Sequence, residues 1–104
     1  MCIRDSHGRG TLNGIIPHPA LVRLFEETAN QYSIPLQKSV HIGALTDLSY
    51  VQLVGKGVAS IDVGFPIRYS HSSLEVCDLN DLILLTTLLE EVIKNIDKNF
   101  SLER

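Results

Sequence analysis

The sequence has no tryptophan, and phenylalanine and tyrosine supply only three residues each. At 6% aromatic it cannot build the stacking surface that single-stranded nucleic acid needs. An excess of positive charge is missing too. Nine Lys and Arg stand against twelve Asp and Glu, interspersed along the chain, for a net charge of −3. That excludes the basic face by which proteins bind nucleic acid or anionic membranes. No apolar run approaches the roughly 20 residues of a membrane span. The opening Met1-Cys2-Ile3-Arg4-Asp5-Ser6 lacks the apolar centre of a secretory signal. Cysteine is scarce. Cys2 and Cys77 lie far apart with nothing metal-like beside them, which favours reduced thiols and a cytoplasmic setting over a disulfide framework. Cys77 reads as a buried, inert thiol.

What is present is enough for one small domain: 104 residues, 44% of them hydrophobic. Residues 1–6 show neither helical nor strand period and read as a non-native leader, the translated end of an assembled sequencing read. Residues 7–104 are taken to carry the fold. Gly8, Gly10, Gly14 and Pro17 mark a loop or irregular strand end. From Pro19, an acceptable residue at a helix start, the spacing predicts a helix. Leu21, Leu24, Phe25, Thr28, Ala29 and Tyr32 share one face, and His18 helps to begin it. Pro35 ends it. Residues 36–42 alternate as a short strand, imperfectly because Lys38 falls on the apolar side. Thr46 or Asp47 can cap a helix reaching about Val54, which Gly55 and Gly57 stop. Residues 58–63 form a second strand candidate. Asp78 caps a last helix to about Ile96, with Asp81 favouring its dipole.

The predicted order is helix, strand, helix, strand, loop, helix. It implies an α/β fold: a mainly parallel sheet flanked by helices. Two strands do not make a stable parallel sheet, because such sheets need both faces and neighbouring strands covered. The last helix, with Leu82, Leu85, Leu88, Leu89, Val92, Ile93 and Ile96 on a wide stripe, wants more cover than two strands give. On physical grounds the chain reads as part of a larger α/β domain.

Side chains able to do chemistry gather in Gly64-Phe65-Pro66-Ile67-Arg68-Tyr69-Ser70-His71-Ser72-Ser73-Leu74-Glu75, between a strand and a helix, where loops commonly carry function. The imidazole of His71 is a good ligand for zinc, cobalt or nickel, although a loop His is also a common surface or hydrogen-bonding residue. No second ligand stands at a local metal spacing, so spacing alone does not define a site. Arg68 either meets a substrate carboxylate or ties the loop to Glu75 or Asp78. Gly43-Ala44-Leu45-Thr46-Asp47 joins a strand end to a helix start. It is either a plain Thr46 or Asp47 cap or a binding place for an anion or peptide carbonyl, with Asp47 able to orient a ligand His. His7, His18 and His41 are weaker ligand candidates.

Pro66-x-Arg68-Tyr69-x-His71-Ser72 resembles the proline-arginine-tyrosine-x-histidine segment of the glutamyl, or tetrahedral, aminopeptidases. The resemblance runs over nearly all of residues 7–97. Gly8-Arg9-Gly10, Ala29 through Ile34-Pro35-Leu36-Gln37, Thr46-Asp47, Gly55-x-Gly57-Val58, Glu75 and Asp78-Leu79-x-Asp81 follow the family's order. The variant here is similar to a bacterial subgroup named as aminopeptidases or endoglucanases. The run before Thr46 has fewer glycines than the family pattern.

The resemblance implies the C-terminal part of an α/β catalytic domain that removes N-terminal residues from peptides. Two divalent metal ions, zinc or cobalt, would activate the attacking water. It assigns His71 as one metal ligand and places Thr46, Asp47, Arg68 and Tyr69 near substrate or behind the ligands. The other ligands and the general base would lie upstream of residue 7. The expected partner is a peptide substrate, with neither nucleic acid nor membrane, in a homo-oligomeric parent. The chain alone is expected to be inactive. A glycan hydrolase is the weaker enzyme alternative, because no placed carboxylate pair is visible. A small non-catalytic α/β interaction module is the alternative of another class.

Overall fold

The computed structural model describes residues 2–7, 14–42 and 46–103. Helix α1, Pro19–Gln31, starts where the sequence says it should. His18 stands before it in extended conformation and its Nδ1 accepts the Ala20 N–H at 3.2 Å. A histidine thus does the work usually given to Ser, Asp or Asn. Proline follows at the first turn, where its missing N–H costs nothing. The far end closes as a Schellman turn: Ser33 adopts φ +53°, Ser33 N–H donates to the Asn30 carbonyl, and Ile34 N–H donates to the Ala29 carbonyl at 2.8 Å.

The last helix, α3, spans Leu79–Asn95. Asp78 Oδ1 accepts the Asn80 N–H at 2.8 Å, Asp81 lies in the first turn and Lys94 in the last, so both ends complement the dipole. Helices α1 and α3 pack on each other. Phe25, Ala29, Ile34, Leu88 and Val92 form the buried cluster, with Val22, Leu36, Ile61, Val63 and Leu84 against it. On the surface, the Tyr32 hydroxyl donates to Glu91 Oε2 at 2.7 Å and spans the two helices. That bond raises the Tyr32 pKa above its ordinary value. The Tyr32 hydroxyl first, and Lys94 second, hold the Glu91 carboxyl below the usual range.

The sheet departs from expectation. Strand β1, Cys2–His7, occupies its centre. It pairs in parallel with β3, Gln37–Ile42, from Cys2↔Gln37 to His7↔Ile42. Its other edge is shared by two short antiparallel strands. These are β2, Gly14–Ile15, against Ser6 and His7, and β4, Asp62–Gly64, against Cys2, Ile3 and Arg4. A second sheet is the hairpin of β5, Ile67–Arg68, and β6, Val76–Cys77. Among the described residues one strand pairing is parallel and three are antiparallel. The architecture is mixed α/β, and a mainly parallel sheet in the predicted order is not what these residues form.

The difference has a definite origin. The opening residues, set aside for want of a period, are the strand that every other strand of the main sheet joins. The second predicted strand, shortened to β4, runs back along β1 and does not extend β3. The middle helix, α2, is a single turn, Leu48–Val51. Asp47 already has helical dihedrals and makes no capping bond; instead the Ser49 hydroxyl accepts the Thr46 N–H at 3.3 Å. Turns through Gly55, φ +62°, and Gly57, φ +93°, follow. Among the described residues no helix is long and apolar enough to cross a membrane.

Candidate functional site

The Pro-Arg-Tyr-x-His segment is not a plain loop. Arg68 ends β5, and the chain reverses through residues 69–75 to enter β6, placing Tyr69 and His71 on the hairpin tip. Both residues are left-handed, with φ of +60° and +62°. Such dihedrals cost non-glycine residues on the order of 1–2 kcal/mol each. Polar bonds fix the tip. The His71 N–H donates to Glu75 Oε1 at 2.6 Å, and the Ser72 N–H donates to the Tyr69 carbonyl at 3.1 Å. The Ser72 hydroxyl sits within donating distance of the Tyr69 carbonyl and of the Leu74 carbonyl, the latter at 2.8 Å.

Every residue from 66 to 80 is exposed, so no apolar packing holds this tip among the described residues. His71 presents its imidazole to solvent, outside the core, with no hydrogen bond from the ring to any described residue. An open cleft of about 670 Å³ runs beside the hairpin base and the start of α3, lined by Pro66, Arg68, Val76, Cys77, Leu79 and Asp81 among others, and His71 does not line it.

Arg68 makes no ion pair among the described residues. The acids expected to hold it are otherwise engaged, Glu75 with the His71 main chain and Asp78 with the start of α3. Cys77 is exposed, because β6 belongs to a two-stranded hairpin with nothing packed over it among the described residues. The buried thiol expected from the sequence is therefore corrected. Thr46 and Asp47 sit before α2, and no hydrogen bond or ion pair among the described residues joins them to the hairpin. Among the described residues the Thr46 hydroxyl is buried without a partner, while Asp47 is exposed. Gly8-Arg9-Gly10 and Gly43-Ala44-Leu45 lie outside the described residues.

An exposed imidazole with no ring hydrogen bond among the described residues has the donor chemistry of one metal ligand. Among the described residues no three His, Cys, Asp or Glu side chains cluster to complete a site. His18 is committed to capping α1. The role of Glu75 was not foreseen. Its four-residue distance from His71 was visible, but its target, a main-chain N–H, was not.

The M42 glutamyl aminopeptidase family matches residues 2–88, and the chain belongs to that family. SgcX of Escherichia coli (strain K12), whose name gives it as a candidate aminopeptidase, is 43% identical over 86 residues, 79% of this chain and 23% of its own length. A lysyl aminopeptidase of Pyrococcus furiosus is 34% identical over 96 residues, 86% of this chain and 28% of its own. Aminopeptidase APDkam598 from the archaeon Desulfurococcus kamchatkensis has a similar solved structure, with TM-score 0.74 and 35% identity. The match covers 88% of this chain and 25% of that one. The chain thus spans about a quarter of the length of the relatives it matches.

Proposed function

We propose that these residues form the C-terminal part of a metal-dependent aminopeptidase, to which they contribute His71 as a metal ligand. The observation that carries this reading is family membership over residues 2–88 joined to a solvent-facing imidazole, unpartnered among the described residues, at the most specific motif. Two divalent ions, zinc or cobalt, would supply the activated water and polarise the scissile carbonyl. This chain's own part is to present one ligand nitrogen on a fixed tip and to place Arg68 and Tyr69 beside it. Thr46 and Asp47 are further candidates for contact with the substrate main chain or for orienting a ligand. The remaining ligands and the general base belong to residues outside this sequence, so the chain by itself should not turn over peptides. The reading also places the complete enzyme in the cytoplasm as a homo-oligomer.

The test uses the complete gene product that carries this sequence. It should release N-terminal residues from short peptides, lose activity to a chelator and regain it with zinc or cobalt. His71→Ala should lower metal affinity by more than about 100-fold, since even partners behind the ligands cost roughly 10–100-fold. Full metal content and full rate in His71→Ala would remove His71 from the site. A gene product without aminopeptidase activity under any divalent metal would defeat the reading as a whole.

A further inference from the structure

A metal ligand carried on a hairpin tip must be held still, or ion binding has to order the tip first. The usual means of holding it is packing, and among the described residues packing does not hold it: Leu74 is 81% exposed, and no residue from 66 to 80 is buried. The tip nonetheless holds two left-handed non-glycine residues, one of them His71. Polar bonds from two side chains oppose that cost. Glu75 Oε1 accepts the His71 N–H at 2.6 Å, a close carboxylate contact just under the usual N–H···O range. The Ser72 hydroxyl sits between the Tyr69 and Leu74 carbonyls and closes the turn from the other side.

The geometry points to Glu75 as a positioning residue, seconded by Ser72, that pre-sets the backbone of His71 so that its imidazole is delivered to the metal. This rests on the reading of His71 as a ligand and goes beyond it. The device differs from the common one in which a carboxylate accepts the second ring N–H of a ligand His. Here the carboxylate acts on the main chain, and neither ring nitrogen is bonded among the described residues. Its effect is on direction: releasing the His71 N–H lets φ relax toward negative values, which swings the Cα–Cβ bond and with it the imidazole. Only an acceptor oxygen at that reach is needed, so the amide oxygen of glutamine should serve nearly as well as the carboxylate.

The experiment compares the complete gene product with its Glu75→Ala, Glu75→Gln, Ser72→Ala and His71→Ala variants, each loaded with cobalt(II). Cobalt affinity is read by chelator competition, ligand geometry by visible absorption, and folding by the melt of the metal-free protein. Glu75→Ala should weaken cobalt binding by about 10–100-fold, the range for groups that orient a ligand, and alter the absorption bands without moving the metal-free melt. Glu75→Gln should return affinity to within about threefold, because a neutral acceptor keeps roughly half the strength of the charged one. Ser72→Ala should shift affinity in the same direction by less, and it decides the matter should Glu75→Ala fail to fold.

Unchanged affinity and spectrum in Glu75→Ala, beside a clear loss in His71→Ala, would overturn the positioning role and leave His71 as a ligand. Failure of glutamine to rescue would also overturn it. No loss in His71→Ala would bring down the ligand reading itself, and the positioning role with it.

Discussion

Helix α3 carries two kinds of apolar residue, and they should respond oppositely to substitution. Leu88 is 0% exposed in the cluster with Phe25, Ala29, Ile34 and Val92. Truncating such a residue to Ala removes its transfer free energy and leaves a cavity, costing about 2–5 kcal/mol. Against a core this small, that is enough to unfold the α1–α3 pair. Ile83 and Ile93 are 63% and 68% exposed on the same helix. Only about a third of each is buried, so from the roughly 1.5–3 kcal/mol for full burial each contributes about 0.5–1 kcal/mol. The double change Ile83→Gln with Ile93→Lys should keep the helix and remove apolar surface. The assay is fluorescence of a hydrophobic dye with the 104-residue chain, read beside far-UV circular dichroism and size-exclusion elution. The parent should bind dye and tend to self-associate. The double variant should bind less dye at the same helicity, and Leu88→Ala should bind more dye and lose helicity. A double variant with unchanged dye binding would refute the assignment of α3 as an uncovered face. A monomeric, dye-negative parent with a sharp transition would refute the wider argument that its apolar surface lacks cover, and would favour a self-sufficient α/β module.

Other outcomes follow from local geometry. Gly55 has open space around it but φ +62°, so Gly55→Ala should destabilise by about 1 kcal/mol through backbone strain alone. Gly64 has open space and no such dihedral, so Gly64→Ala should be neutral or stabilise by about 0.4–1 kcal/mol, with chemical denaturation distinguishing the pair. The Tyr32–Glu91 bond should make the α1–α3 contact pH-dependent in two directions. The Glu91 pKa is depressed, so its contribution is present above the ordinary carboxylate range and fades as pH falls through the lowered value. The Tyr32 pKa is raised, so its contribution is present below the ordinary tyrosine range and fades as pH rises through the higher value. Tyr32→Phe should flatten both limbs in a pH series of melts, by a small amount because both groups face solvent. Titration calorimetry of the 104-residue chain with zinc should find weak binding only, since among the described residues nothing joins the His71 imidazole to make the three or four ligands of a protein zinc site.

The parts of this fold that could be read from sequence are those whose causes lie close along the chain. Helix α1 has a capping His18, a Pro at its start, a clear face and a Ser33–Ile34 turn before Pro35, all within 18 positions. Helix α3 has Asp78 and a leucine stripe. Strand β1 offers no such signal, because what makes Cys2–His7 a strand is its partner 35 residues away in β3, together with β2 and β4 on its other edge. The direction of β4 was hidden for the same reason: a three-residue strand has too little pattern to choose between extending β3 and returning along β1. The site divides along the same line. His71 could be picked out by residue type and motif. Its left-handed backbone could not, since no glycine marks it, and neither could the hold of Glu75 on its N–H, which depends on the hairpin first being formed. On the proposed reading of His71, a ligand's identity is written in one residue, while its orientation is written in the contacts that residue's backbone makes. The second of these decides whether an exposed imidazole is a ligand or only a surface histidine.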